Sequence, residues 1–109
     1  MVIRDKLYVK ENKIISKAIN IDDSLYEKIK GLSENKYSAT ISEIINVAIE
    51  EYIERNNPNF YGRKQGETVT YRTLALRKNN IEKLNEYSKE TGISFTRLIN
   101  SAIKEFLDN

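Results

Sequence analysis

With 109 residues, 39% of them hydrophobic and 31% charged, the chain can form one compact domain or two half-domains sharing a core, but not two independent domains. It has no cysteine and no histidine, which removes disulfides, thiolate zinc sites, the usual general base at neutral pH and the commonest metal ligand; no enzyme, catalytic residue, metal or cofactor is expected. The net charge is only +2, no run of about 18 apolar residues is present and the first residues do not read as a signal peptide, so the expectation is a soluble cytoplasmic protein without membrane contact.

In chain order, residues 1–15 form an amino-terminal arm with four basic and two acidic side chains. It is open to three readings: a third strand, an oligomer contact, or a disordered basic tail that touches phosphate, disorder being the default for a terminus. The next segment, 16–55, carries five basic and eight acidic residues. It starts with an alternating stretch, Lys17–Ile21, which places Ile19 and Ile21 on a core and Ser16, Ala18 and Asn20 on the opposite face. Leu25, Ile29 and Leu32 then recur at helical spacing, with Asp22 or Asp23 as candidate cap. Residues 35–38 break that helix, and Thr40-Ile-Ser-Glu43 has the capping-box form that opens a second, longer one.

Residues 56–67 contain the single proline and several other turn formers, and read as a connector. Its Arg63 and Lys64 are as well placed for solvent as for phosphate. From 68 to 109 the sequence repeats the same order and carries seven basic and five acidic residues. Arg72–Leu76 alternates, with Leu74 and Leu76 inward and Tyr71, Thr73 and Ala75 outward. Ile81, Leu84 and Tyr87 mark a helix with Asn79 as candidate cap, Gly92 ends it, and Ser94 caps the last helix, where Arg97 replaces the glutamate of the capping box. The acidic residues fall mostly opposite the apolar faces, where solvated surface is a better reading than paired catalytic carboxylates.

The two halves match at a spacing of 54 to 55 residues. In the long helices Ile41, Ile44, Ile45, Ala48, Ile49, Tyr52 and Ile53 correspond to Phe95, Leu98, Ile99, Ala102, Ile103, Phe106 and Leu107, one broad amphipathic face in each. A five-residue strand cannot satisfy its backbone alone, so the first strand is expected to pair antiparallel with the second over the four helices. The fold class is then mainly α with a short two-stranded antiparallel ribbon, and its two units, 16–55 and 68–109, share one core. A two-stranded ribbon is one of the few protein elements that fits the DNA major groove.

The stretch from Ile19 to Ile29, followed by Thr40 to Ile53, resembles the ribbon-helix-helix family of repressors, plasmid copy-number regulators and antitoxins. The second half is similar but looser, with Leu76-Arg-Lys-Asn-Asn-Ile81 where an acidic helix start is usual. The tandem layout, length and richness in Ile, Lys, Asn and Tyr resemble regulators encoded by archaeal viruses. This resemblance implies a pseudo-dimer within one chain and a transcriptional regulator of double-stranded DNA. It implies base contacts from Ser16, Ala18, Asn20, Tyr71, Thr73 and Ala75. It further implies phosphate contacts at the starts of the long helices, Thr40 and Ser42, Ser94 and Thr96, with Lys17, Arg72 and Arg77 as backbone-contacting cations. Unlike commoner family members, this chain has no outward Arg or Lys on the ribbon, so an A·T-rich, non-palindromic target is expected. Chains are open to further homo-oligomer association along DNA, and no small-molecule substrate is expected. The rival readings are an antitoxin or plasmid accessory DNA-binding protein and, in another class, an oligomerisation module without DNA binding.

Overall fold

A computed structural model describes residues 13–55 and 60–109. Most of the arm, 1–12, and connector residues 56–59 lie outside them. The element order is β1 (Ile14–Asp22), α1 (Asp23–Asn35), α2 (Ile41–Glu54), β2 (Val69–Arg77), α3 (Lys78–Thr91) and α4 (Phe95–Asp108). The protein is mainly helical, with one two-stranded antiparallel sheet made of β1 and β2.

Both strands are longer than their alternating sequence suggests. The ladder runs from Ile14 opposite Arg77 to Asp22 opposite Val69, nine residues on each side. Its middle pair is Ala18 and Thr73, which are equivalent positions of the sequence repeat. The alternation is as expected: Ile19, Ile21, Leu74 and Leu76 are buried, while Ser16, Asn20, Tyr71 and Thr73 are exposed and Ala18 and Ala75 are half-exposed.

The buried strand residues join Leu25, Ile29 and Leu84 from the short helices and the apolar faces of α2 and α4 in a single core. Ile44, Ile45, Ala48, Ile49 and Tyr52 are buried on α2, and Leu98, Ile99, Ala102 and Ile103 on α4; the outermost matched positions, Ile41, Ile53, Phe95, Phe106 and Leu107, pack around them half-buried. α2 and α4 form the most extensive helix contact, and each long helix also packs on the strand of the other half, α2 on β2 and α4 on β1.

Two of the expected caps are filled differently. Asp22 stands at the cap position of α1 but makes no side-chain cap bond there. The Asp23 carboxylate instead accepts from Thr70 Oγ1 at 2.8 Å, Arg72 Nη1 at 3.1 Å and the Thr68 hydroxyl, so it ties α1 to β2. The first turn of α1 is served by Glu67 of the connector, which accepts from the amide and the hydroxyl of Ser24. In α3 the cap position is Arg77, without a side-chain bond, and Asn79 lies inside the first turn. The other termini follow the sequence. Thr40 and Glu43 form the capping box, Ser94 accepts from the Arg97 amide, and Gly92 ends α3 at φ 77°, the left-handed conformation that glycine adopts without strain.

Two asparagines, at equivalent places in α2 and α4, finish the sheet. Asn46 Oδ1 accepts from the Arg77 amide at 2.9 Å and its Nδ2 donates to the Ala75 carbonyl at 3.0 Å. Asn100 Oδ1 accepts from the Asp22 amide at 2.9 Å and its Nδ2 donates to the Asn20 carbonyl at 3.1 Å. Both residues are 97% buried. Truncating either leaves a buried carbonyl and amide without partners, at about 1–3 kcal/mol for each group that water cannot reach. Asn100→Ala is therefore expected to lower the urea-unfolding free energy by about 2 kcal/mol or more, against a change within about 0.5 kcal/mol for the exposed Asn109→Ala. Equal unfolding midpoints for the two variants would contradict this role.

Candidate nucleic-acid interface

The outward face of the ribbon is a double row in which the expected base-contacting residues stand opposite one another: Asn20 with Tyr71, Ala18 with Thr73, and Ser16 with Ala75. Side chains so paired have Cβ atoms about 5 Å apart, and nine residues at about 3.3 Å each make a ribbon about 30 Å long. All six side chains are uncharged and all but Tyr71 are small; Tyr71 is 69% exposed and dominates one end of the row. The face carries two amide, hydroxyl or phenol groups at one end, a methyl and a threonine at the centre, and a hydroxyl and a methyl at the other.

The starts of the long helices flank the ribbon. Ser42 Oγ accepts from the Ala75 amide at 3.0 Å, which fixes the first turn of α2 against the outer edge of β2. Asn100 Nδ2, bonded to both the Thr96 and the Asn20 carbonyls, fixes the first turn of α4 against β1. Thr40 and Ser94 each use their hydroxyl on the third helical amide, at Glu43 and Arg97. The amides of Ile41 and Ser42, and of Phe95 and Thr96, have no intrahelical acceptor, because the first turn of a helix has none to offer.

The three expected phosphate-contacting cations all have partners within the chain. Lys17 Nζ lies 5.0 Å from the Phe95 ring centre at the start of α4. Arg72 stacks 3.7 Å over Tyr26 while paired with Asp23, and Arg77 pairs with Glu50. Of the three, Lys17 alone has no carboxylate in its ion-pair geometry among the described residues.

The start of α4, where Ser94 and Thr96 are two of the expected phosphate contacts, also gathers Arg97, Tyr61 and Asn100, which were not among the expected contacts. A cleft of about 270 Å³ at the start of α4 is lined by Ser94, Thr96 and Asn100, by Arg97 of the helix, by Tyr61 and Arg63 of the connector and by Asp22 at the end of β1. The Tyr61 amide donates to Ser101 Oγ at 2.8 Å and Arg63 Nε pairs with Asp22 at 2.8 Å, so the connector is strapped across this end of the molecule. Burial, together with the Asp22 charge, pushes the Tyr61 phenol up. Among the described residues no segment is strapped across the start of α2, which carries Glu43 in its first turn. The replacement of that glutamate by Arg97 in the second half was the sequence signal for this difference.

Comparison with protein-family models, with curated proteins and with solved structures finds no match for this chain. None of the helices among the described residues is long and apolar enough to cross a membrane.

The bonds that hold the interface have a pH signature. Hydrogen bonds from Thr68 and Thr70, then the Arg72 charge, hold the Asp23 carboxyl below its ordinary value of 3.8. A carboxyl depressed on folding stabilises the folded chain above its unfolded value, and that contribution is lost as pH falls through the lower folded one. Asp23→Asn is thus expected to lower the urea midpoint at pH 6 and to make a smaller difference at pH 3. A gap that stays constant across this range would remove Asp23 from the account.

Proposed function

We propose that this protein is a sequence-specific, double-stranded-DNA-binding transcriptional regulator of the ribbon-helix-helix class, folded as a pseudo-dimer within one chain, whose β1–β2 ribbon enters the major groove. The observation that carries this reading is the outward double row of Ser16, Ala18, Asn20, Tyr71, Thr73 and Ala75, bounded at both sides by the start of a long helix. Equivalent residues meeting at Ala18 and Thr73, and equivalent asparagines bonding the strand of the opposite half, support the pseudo-dimer.

Side-chain chemistry defines the target. Asn20 can bond adenine N6 and N7 together, and the methyls of Ala18, Thr73 and Ala75 suit the thymine methyl, whereas no outward Arg or Lys offers the bidentate contact with guanine. An A·T-rich site follows. Because the place of Asn20 is taken by Ala75 in the second half, and that of Ser16 by Tyr71, the two halves of that site differ. Phosphates would be held by the free amides at Ile41, Ser42, Phe95 and Thr96, with Lys17 beside the second pair, and more firmly at the α4 end, where Arg97 adds its charge.

Selection from random duplexes, followed by gel shifts on the selected site, tests this directly. Binding should weaken steeply with salt, as counterions released from phosphates are restored. Asn20→Ala is expected to cost about 1–3 kcal/mol at one base pair and to relax the preference there, while Arg97→Ala should weaken all sequences alike and reduce the salt slope by about 1. Failure to bind any duplex at low salt would favour the oligomerisation reading.

A further inference from the structure

The two ends of the molecule differ in one respect that the matching of the halves makes informative. On the α4 side the connector leads into β2, and before doing so lays Phe60 and Tyr61 across the long helix. Phe60 lies 6.3 Å from the Tyr87 ring, and Tyr61 packs half-buried on the core with its amide on Ser101. On the α2 side the equivalent surface is, among the described residues, a groove of about 410 Å³ lined by Tyr37, Ala39, Ile44, Val47 and Phe106. Val47 holds the place of Ser101, and Phe106 that of Tyr52. Tyr37 and Val47 are 40% and 39% exposed.

The chain also enters the two strands in the same way. The Asp23 amide donates to the Thr68 carbonyl at 2.9 Å just before β2, and the Lys78 amide donates to the Lys13 carbonyl at 2.7 Å just before β1. These four residues are equivalent pairs at a spacing of 55. Lys13 therefore emerges beside Arg77, which borders this groove, as Thr68 emerges beside the strapped one.

We propose that the groove on α2 is the docking site of the chain's own amino-terminal segment, with Leu7 and Tyr8 seated where Phe60 and Tyr61 sit on the other side. The sequences agree: Lys6-Leu7-Tyr8-Val9-Lys10 sets an apolar residue and a tyrosine between polar ones, as Asn59-Phe60-Tyr61-Gly62-Arg63 does. Tyr61 precedes Thr68 by seven residues and Tyr8 precedes Lys13 by five; the connector takes up its extra length in the turn at Gly66, where the Glu67 amide donates to the Lys64 carbonyl. Five residues span at most about 17 Å, enough to follow the flank of one helix. Charge is complementary, since Lys6 and Lys10 bracket Tyr8 while Glu43 and Glu51 border the groove. The ion pair of Arg63 with Asp22 is not repeated, because Arg77 stands in the place of Asp22, so the aromatic anchor is the principal contact. This inference depends on the correspondence of the halves and not on DNA binding.

The absence of cysteine allows a nitroxide to be placed at one position of the full chain, by Arg4→Cys, with Lys6, Tyr8 and Lys10 intact. The expected result is loss of the Ala39 and Val47 methyl signals in the NMR spectrum while those of Ala18 and Ala75 on the ribbon persist, and recovery of both when Tyr8→Ala is added. Uniform broadening, or loss at Ala18 and Ala75 instead, would overturn the proposal. So would loss seen only when spin-labelled chains broaden the methyls of unlabelled ones in a mixture, which would place the segment on a second copy. The methyl spectrum of the folded core, unchanged in both variants, excludes misfolding as the cause.

Discussion

A two-stranded sheet leaves each strand with one unpaired edge, and in this protein those edges are closed by carboxamides. An asparagine side chain offers one carbonyl and one NH₂ group, the same donor and acceptor that a peptide unit of a third strand would present. On an antiparallel strand the carbonyl of one residue and the amide two residues later point to the same edge. Asn46 meets this pair at Ala75 and Arg77, and Asn100 meets it at Asn20 and Asp22. Each strand thereby gains a short hydrogen-bonded neighbour that belongs to a helix, so exposed edge pairing with other chains is blunted and the sheet is locked in register with α2 and α4. The position of every outward side chain depends on this lock, because a slip of one residue would turn the outward row toward the core.

The two faces of the ribbon carry unequal burdens as a result. Ile19, Ile21, Leu74 and Leu76 are buried, and truncation of such residues costs about 2–5 kcal/mol, a large part of the stability of a chain this size. The outward row contributes little to that balance, since exposed substitutions usually stay within about 0.5 kcal/mol. Small and polar side chains such as Ser16, Ala18 and Ala75 are therefore tolerated there, and their identities are free to answer to a ligand. The division is a consequence of the pleat, with its period of two, and requires no dedicated loop or pocket.

Much of this was legible in the residues. The helical spacing of apolar residues in 41–53 and 95–107 marks both long helices, and the alternation around Ile19 and Leu74 assigns the correct residues to each face of the ribbon. The asparagines were not legible, because a polar residue within an amphipathic helix ordinarily belongs to its solvated face. Only a strand 29 or 80 residues away makes Asn46 and Asn100 structural, and their occurrence at the same place in both halves was the available signal. The first turn of α1 differs from expectation for a related reason. Asp23 is a good local cap on its own, but Thr68, Thr70 and Arg72 compete for the same carboxylate from β2, and Glu67 arrives from the connector to take the vacated role. The strands extend beyond the alternating stretches because pairing, not alternation, sets their length.

The connector adds to the differences that the residues themselves make between the two halves. In a dimer of separate chains both ends would be equivalent, but a single chain must cross from α2 to β2 once, and it crosses on the α4 side. There it brings Arg63 beside Asp22 and leaves Arg97 at a helix start that has no carboxylate in its first turn. At the other end the helix dipole attracts an anion while Glu43 opposes it, and Arg77 is already engaged by Glu50. On the proposed reading, two phosphates on either side of one major groove would meet unequal partners, and the difference would fall on the backbone contacts that set position rather than on those that read bases. The molecule would then have a direction on DNA even on a site whose bases were symmetric, and base reading by Asn20 and Tyr71 would reinforce an orientation that the connector had already imposed.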